Sequence, residues 1–367
     1  MNSETMTNPA LGMFLFTLGG LAGAVFYMPF KKVKEWAWES YWMIYAIVGL
    51  LIIPWILALS TSPNIMSVLK GTPSKEIWYC YVCGAAWGLG GLTWGLMIRY
   101  LGVGLGLALG CGLASSAGTL IPKIIKGEFG ALFQSVSGIV SFVGVLVSIV
   151  GIILVGMAGM SKENEMPEEE KRKAVAEFNF KKGILIAIFS GLMSSAMNFG
   201  LQGGLTMEKL AVSTKPLTSE AWRGMPVLVV VLMGGFTINF LWCLLLNLKN
   251  RTVADYIRPE GPVLLANIVF AAVAGAIWCS QFICLKTGEP AMGKTAYIGF
   301  AILMAGQILF SSLLGAALGE WRGTSGKTKA LLGLGLLMLV VSFVVAAYSG
   351  YISQQQTTTA MVMTGVK

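Results

Sequence analysis

Ten apolar stretches, each about long enough to cross a lipid bilayer, dominate the sequence. A transmembrane helix needs ~20 consecutive, mainly apolar residues. The predicted spans are Ala10 to Met28, Tyr41 to Leu59, Ile77 to Ile98, Leu101 to Ile121, Gly138 to Ala158, Gly183 to Gly203, Met225 to Leu246, Pro262 to Leu285, Thr295 to Leu318 and Ala330 to Gly350. Only 12% of the residues are charged, against about 25% in soluble domains. The sequence therefore predicts an all-α polytopic membrane protein.

A charged segment divides the ten spans into two groups of five. Residues 161–182 hold six basic and six acidic residues, which predicts a cytoplasmic linker with a short surface helix around Pro167 to Glu177. The linker separates an N-terminal half, 1–160, from a C-terminal half, 183–350, and we expect the polar tail, 351–367, to be disordered. Because each half has an odd number of spans, the halves enter the membrane from opposite sides, which predicts a 5+5 inverted repeat.

The distribution of lysine and arginine predicts the orientation in the membrane. The loops that follow odd-numbered spans carry more of these residues than the other loops and tails, which places them in the cytoplasm and both termini in the periplasm. No lysine or arginine precedes the first span, so we expect no cleaved signal peptide. Basic loops facing anionic lipid headgroups account for the net charge of +9, and nucleic-acid binding is not expected.

Missing residue types and motifs argue against several classes of function. The chain has no histidine, and the C-x-x-C of Cys80 and Cys83 lacks a second pair of ligands, so we expect no metal site. No Gly-Lys-Ser/Thr phosphate loop is present, which argues against ATP hydrolysis. No nucleophile or acid–base pair lies within the spans, so an enzyme is not expected. We also expect no cofactor and no obligatory protein partner.

Spans three and four have the composition of helices that line a pathway for a small polar solute. The glycines of Gly84 to Pro122 leave bare helix faces, where neighbouring backbones can approach closely. The aromatic and hydroxyl side chains are Trp87, Thr93 and Trp94 in span three and Ser115 and Ser116 in span four. The two tryptophans are seven residues apart and therefore share one helix face.

Further polar side chains within the spans are candidates for binding the solute. They are Asn198 and Gln202 in span six, Asn267, Trp278 and Gln281 in span eight, and Gln307 in span nine. Sugar recognition needs a flat aromatic face against C–H groups, together with amides that donate and accept hydrogen bonds. For the single amides, hydrogen bonding between helices is the alternative interpretation.

No aspartate, glutamate or histidine lies within a predicted span, so a buried proton relay is not visible. A group that carries a coupling ion would then lie at the end of a span. Glu39 and Glu320 are the candidates, because each is next to a tryptophan that could desolvate it. The alternative is that both are interfacial charges, paired with Lys34 and Arg322.

Several segments in order along the chain resemble one known family. They are Phe26 to Lys34 followed by Trp36, Trp38 and Glu39, then Trp87-Gly88, Arg99 to Gly102, Gly118 to Leu120, Glu177 to Asn179 with Lys181 to Gly183, Trp278 with Gln281, and Glu320-Trp321. The family is that of the bacterial L-rhamnose/proton symporters. The resemblance implies a ten-helix protein of the drug/metabolite transporter superfamily in the inner membrane, with the first four spans of each half around a central cavity.

Residues and resemblance together predict a secondary active transporter that imports a monosaccharide by alternating access, with L-rhamnose as the expected substrate and a proton, or sodium, as the coupling ion. Transport of another sugar or small metabolite is the nearest alternative. A membrane protein that senses a sugar without transporting it is the alternative from a different class.

Overall fold

The computed structural model describes residues 8–165, 180–259, 261–319 and 321–364, and the regular secondary structure in these ranges is helical. A bilayer offers no water to backbone N–H and C=O groups, so apolar spans satisfy these groups within helices. The α-helices are α1 (Pro9–Val25), α2 (Trp38–Ala46), α3 (Ile53–Thr61), α4 (Ile65–Gly71), α5 (Ser74–Ile125), α6 (Val136–Glu165), α7 (Phe180–Gly203), α8 (Leu205–Ser213), α9 (Met225–Asn250), α10 (Pro262–Met292), α11 (Gly299–Ala317) and α12 (Gly326–Thr364).

Seven segments of the described chain are long and apolar enough to cross a membrane. One of them, Pro262–Ala317, contains both α10 and α11, and Leu109–Ile125 is a shorter apolar helix within α5. The structure therefore confirms an all-helical chain with multiple membrane-spanning segments. The count of ten spans stays a prediction.

Helix α5 is 52 residues long, but its two halves lie side by side. In a straight helix Met97 and Gly110 would be about 20 Å apart, because each residue adds 1.5 Å. A Cβ atom added at Gly110 would nevertheless lie 2.8 Å from Cε of Met97. The chain therefore reverses direction between these residues, at the polar hinge that separates predicted spans three and four.

Helices α1 and α7 each pack between two other helical segments. Helix α1 packs between α10 and α11, and a Cβ atom at Gly20 would lie 2.8 Å from the Cα of Gly306. Helix α7 packs between the two halves of α5, where a Cβ atom at Gly200 would lie 3.0 Å from the Cβ of Cys83. Small residues let these backbones approach closely, as the sequence predicts for glycine-rich spans.

The remaining long helices complete the bundle in two ways. Helices α6 and α12 pack mainly against each other, and the Ser349 hydroxyl donates a hydrogen bond of 2.9 Å to the Ser137 carbonyl oxygen. Helices α2 and α3 pack against α9 and α10. A π turn, Ile47–Ile52, joins α2 to α3 just before Pro54, which has no N–H to donate to the preceding turn.

The C-terminal segment differs from the prediction. Helix α12 continues to Thr364, so the polar tail is helical over most of its length, because good helix formers such as Gln354 to Gln356 extend the last span. The surface helix predicted around Pro167 to Glu177 lies outside the described residues. The boundaries of the two halves and of the linker stay predictions.

Candidate substrate site

Two tryptophans that the sequence places in different halves of the chain stack against each other in the core. The ring of Trp87 on α5 and that of Trp278 on α10 have centroids 5.0 Å apart and planes inclined by 27°. Phe282 lies 4.9 Å from Trp278, and Tyr45 on α2 meets it edge-on at 5.9 Å. The structure therefore brings together two of the three tryptophans that the sequence singles out for a solute.

A glycine on α9 holds Trp87 in this position. A Cβ atom at Gly235 would lie 2.4 Å from Cζ3 of the Trp87 ring, so this place tolerates no side chain. One turn earlier along α5, a Cβ atom at Gly84 would overlap the carbonyl oxygen of Val231. Close packing of α5 against α9 thus turns the indole towards α10.

The amides of Gln281 and Gln307 meet beside the tryptophan pair. A Cβ atom at Gly23 would lie 2.7 Å from Oε1 of Gln281 and 3.1 Å from Oε1 of Gln307. These side chains come from α10 and α11, and they converge on α1. The core therefore combines a flat aromatic surface with two amides, as the sequence analysis expects for sugar recognition.

The other polar groups of predicted span three bond to α7. The Thr93 and Ser190 hydroxyls are 2.6 Å apart, and Trp94 Nε1 donates to Ser194 Oγ at 2.9 Å. Trp94 is seven residues, or about 10 Å, along α5 from Trp87. The structure therefore separates Thr93 and Trp94 from the tryptophan pair.

The hydroxyl and amide groups of predicted spans four and six lie where α5 meets α7. Ser116 donates to the Gly112 carbonyl oxygen of its own helix at 2.6 Å, whereas the buried Ser115 hydroxyl has no partner in the described structure. Asn198 Nδ2 donates to the Gly118 carbonyl oxygen at 2.6 Å.

A narrow cleft with room for about one water molecule opens next to Asn198. It is lined by Thr119, Pro122, Lys123, Lys126, Asn198, Gln202 and Tyr297. Thr119 Oγ1, Asn198 Oδ1 and the Tyr297 hydroxyl are buried and have no hydrogen-bond partner in the described structure. Buried polar atoms are nearly always bonded to protein or water, so these three oxygens indicate a place for water or substrate hydroxyls.

A buried group of charges lies beside this cleft, and we call it the lysine end. Lys286 on α10 is only 2% exposed, and its ammonium group donates to Glu208 at 2.5 Å and to Glu289. Arg223 lies 3.6 Å from the other oxygen of Glu208, and Gln202 Nε2 lies 3.5 Å from Oε1 of Glu289. The lysine end comprises these five residues.

The sequence analysis misses Lys286 and Glu289 because it ends span eight at Leu285. The structure corrects this boundary, since α10 continues to Met292 with both residues buried. The helical period gives the signal that could have revealed them, because Gln281, Leu285 and Glu289 recur every four residues on one face.

A second polar group lies at the opposite end of the core, and we call it the amide end. Oε1 of the buried Glu39 accepts hydrogen bonds from Asn250 Nδ2 at 2.9 Å and Thr252 Oγ1 at 3.0 Å. Asp255 Oδ2 accepts from the Ser40 hydroxyl at 2.6 Å and from the Ala37 N–H at 2.9 Å. The amide end comprises these residues together with Asn247, Tyr256, Lys34 and Asn267.

Neutral side chains complete the amide end. Asn247 Nδ2 donates to the Tyr256 hydroxyl at 3.1 Å, and burial raises the pKa of this hydroxyl to about 12, so it stays neutral. The Asn267 amide accepts from the Lys34 N–H at 3.0 Å and donates to the Lys34 carbonyl oxygen at 2.7 Å. Asn267 thus holds the chain that follows α1, and it is remote from the tryptophan pair.

Residue spacing along α10 shows how these groups are arranged. Asn267, Trp278 and Glu289 succeed one another at intervals of eleven residues, which corresponds to about 16 Å for each interval. The tryptophan pair therefore lies midway between the amide end and the lysine end. Of the two coupling candidates, Glu39 belongs to the amide end, and Glu320 lies outside the described residues.

Comparisons with known proteins give a consistent result over almost the whole chain. A family model described as L-rhamnose-proton symport protein matches residues 6–350. The L-rhamnose-proton symporter of Klebsiella pneumoniae (strain 342) is 30% identical over 335 residues, which cover 90% of this chain and 95% of the relative. Proteins of the same name from Yersinia pestis (strain Pestoides F) and Cronobacter sakazakii are 31% and 29% identical with the same coverage.

Proposed function

Because the chain belongs to the L-rhamnose-proton symport protein family, we propose that it imports L-rhamnose together with a proton across the bacterial inner membrane. The observation that carries this proposal is the match to curated symporters over 95% of their length. The multiple apolar helices suit such a multi-pass carrier, and membership of a transporter family implies that the chain is not an enzyme.

The rhamnose site in this proposal is formed by Trp87, Trp278, Gln281 and Gln307. L-rhamnose is a 6-deoxyhexose, so it presents a methyl group and ring C–H groups as well as hydroxyls. The apolar groups suit an indole face, and the hydroxyls suit amides that both donate and accept hydrogen bonds. The remaining candidates, Thr93, Trp94, Ser115, Ser116, Asn198, Gln202 and Asn267, lie outside this cluster and serve the pathway or the packing of the helices.

The stacked tryptophans contact each other directly, with ring centroids 5.0 Å apart. Trp278 is 6% exposed and Gln281 is 2% exposed, so the rings and the amide are covered by protein. Sugar binding has to separate the rings and replace their mutual contact by contacts to the sugar. The close backbone contacts at Gly84 and Gly235 favour motion of whole helices over local rearrangement.

The contact pattern supports an inverted repeat of five plus five spans. If the two halves of α5 count as spans three and four, α1 contacts spans eight and nine, and α7 contacts spans three and four. Likewise, span two contacts span eight, and span seven contacts span three. Exchanging the two halves leaves these contacts unchanged, as expected for an inverted repeat of the drug/metabolite transporter type. Both termini are then periplasmic, and the lysine end faces the periplasm.

The first experiment is uptake of labelled L-rhamnose into proteoliposomes, with and without an imposed inward proton gradient. Accumulation above equilibrium only with the gradient is the expected result. Accumulation that follows sodium would change the coupling ion. Absence of specific uptake by folded protein would overturn the proposal. Binding without counterflow of labelled against unlabelled sugar would favour a sensor.

The site itself is tested by Trp278→Ala. Loss of the indole face should weaken rhamnose binding on the order of 10-fold, since an aromatic contact contributes about 0.5–1.5 kcal/mol beyond its buried area. Trp78→Ala is the matched control, because Trp78 is 63% exposed on the same helix as Trp87. Counterflow at a series of sugar concentrations gives the affinity. Equal affinities in both variants would remove Trp278 from the site.

A further inference from the structure

We propose that Glu289 carries the coupling proton, an inference that rests on the proposed function and names the residue behind it. Two carboxylates are buried among the described residues, Glu39 at 5% exposure and Glu289 at 8%. A symporter needs a group that exchanges a proton with water in one conformation and is shielded in another. The surroundings of the two carboxylates show which of them is suited to carry the proton.

Glu39 is well stabilised as an anion by neutral groups. It accepts hydrogen bonds from Asn250 and Thr252, and it lies in the first turn of α2, where the helix dipole favours negative charge. No ion pair joins Glu39 to another described residue. The carboxylate therefore gains little from a proton, and the prediction that Glu39 couples transport receives no support from its surroundings.

Glu289 shares its only cationic partner with a second carboxylate. Lys286 donates to both Glu289 and Glu208, so the buried part of the lysine end holds two negative charges against one positive charge. Arg223 does not cancel the surplus, because it is 36% exposed and also pairs with Glu220 at 3.0 Å. Burying a net charge costs free energy. One added proton brings Lys286, Glu208 and Glu289 to a combined charge of zero.

The groups that face this carboxylate come from four further elements. Glu208 lies on α8, and Arg223 follows the turn Glu220–Trp222. On α7, Gln202 offers its amide, and the Leu201 carbonyl oxygen accepts a hydrogen bond from Lys286 at 3.4 Å. On α5, Glu76 is engaged elsewhere, because its Oε1 accepts the N–H groups of Thr206 and Met207 at the start of α8. Cys80, one turn further along α5, donates to the Gly200 carbonyl oxygen at 3.3 Å.

The polar cleft gives Glu289 a route to water. Gln202 lines the cleft and places its amide nitrogen 3.5 Å from Glu289, so the two are in contact. The unpartnered oxygens of Thr119, Asn198 and Tyr297 can hold a water molecule in the cleft. The proton then reaches the carboxylate from this water by way of the contact between Gln202 and Glu289.

Protonation of Glu289 changes how Lys286 holds the helices together. The carboxylate takes a proton from water, an O–H bond forms, and the hydrogen bond from the Lys286 ammonium group to that carboxylate is lost. Lys286 keeps its proton and then pairs with Glu208 alone, so the charge of the three residues rises from −1 to zero. The contact between α10 and α8 is thereby strengthened. Proton binding from the periplasm favours closure of the lysine end. After the sugar is released, the proton leaves to the cytoplasm through the open sugar pathway, and its loss favours reopening of the lysine end.

The variant Glu289→Gln tests this inference in proteoliposomes. It should retain counterflow of L-rhamnose, which needs no net proton movement, and it should lose accumulation driven by a proton gradient, so that the ratio of inside to outside sugar falls to unity. Glu128→Gln is the matched control, because Glu128 is an exposed carboxylate. The glutamine amide oxygen of this variant can still accept the hydrogen bond from Lys123. It should accumulate sugar like the unmodified protein.

Each outcome decides between the two proposals. If the unmodified protein shows no gradient-driven accumulation, the proposed function fails. If it accumulates rhamnose and Glu289→Gln does so equally, the function stands and Glu289 is not the carrier. Loss of accumulation in Glu39→Gln but not in Glu289→Gln would move the carrier to the amide end. If Glu289→Gln also loses counterflow, Glu289→Asp decides: restored accumulation supports the inference, and none overturns it.

Discussion

The two ends of the core bury carboxylates by different means. At the lysine end, the single ammonium group of Lys286 donates to two carboxylates, Glu208 and Glu289. At the amide end, Glu39 and Asp255 are held by amides, hydroxyls and a backbone N–H. A network of full charges depends on its balance, whereas a network of neutral donors stays satisfied when one charge is removed. The lysine end is therefore the part of the molecule that responds to a proton.

The largest effect is expected for Lys286→Met. This change leaves the buried Glu289 without its cation and Glu208 with Arg223 alone, and breaking a buried pair in this way costs about 3–5 kcal/mol. Thermal unfolding of the purified protein in detergent gives the measurement. The double variant Lys286→Met with Glu289→Gln should recover part of the loss, because it removes one uncompensated charge. An unfolding temperature equal to that of the unmodified protein would show that the charges are not coupled.

A smaller effect is expected for Glu39→Gln at the amide end. The amide oxygen can still accept from Asn250 and Thr252, so the main loss is the interaction of the charge with the α2 dipole, about 1 kcal/mol or less. The same unfolding measurement applies, with Glu35→Gln as the exposed control nearby. A loss as large as that of Lys286→Met would mean that both ends depend on charge, and the comparison would no longer hold.

The smallest effect is expected at the surface pair of Lys123 and Glu128. The hydrogen bond from Lys123 lowers the pKa of the Glu128 carboxyl group. The pair therefore stabilises the protein above the ordinary carboxyl pKa, and this contribution is lost as pH falls through the lowered value. Because Glu128 is half exposed, we expect Glu128→Gln to cost only about 0.2–0.5 kcal/mol at pH 7 and less at an acidic pH below the lowered pKa. Unfolding at both pH values measures the difference.

The sequence predicts the helical class and the main apolar spans, because both depend on composition and period, and it proposes Trp87 and Trp278 separately as solute-binding residues. Trp87 and Trp278 are recognisable as large aromatic residues among small ones, although only the fold reveals that they stack. The lysine end is not predictable from hydropathy, since a hydropathy profile ends a span at the first charges. The helix continues through Lys286 and Glu289 because these residues pair with each other and Lys286 also pairs with Glu208, which is 78 residues away.

The predicted role of Asn267 illustrates a second limit. An amide inside an apolar span suits a sugar hydroxyl and a backbone group equally well, and the sequence does not distinguish the two. In the structure the amide oxygen and the amide nitrogen of Asn267 both form hydrogen bonds with the backbone of Lys34. The partner belongs to an irregular segment after α1, and no sequence period indicates where such a segment folds.

The similar contacts of α1 and α7 have a consequence for energetics. In the inverted repeat proposed above, the two halves can exchange roles, so the outward-open and inward-open arrangements are close in packing free energy. The preference for one arrangement then depends on residues that differ between the halves. The lysine end and the amide end are such residues, and a difference of about 1.4 kcal/mol between them changes the population ratio tenfold. A single proton at one end is therefore sufficient to set the direction in which the carrier faces.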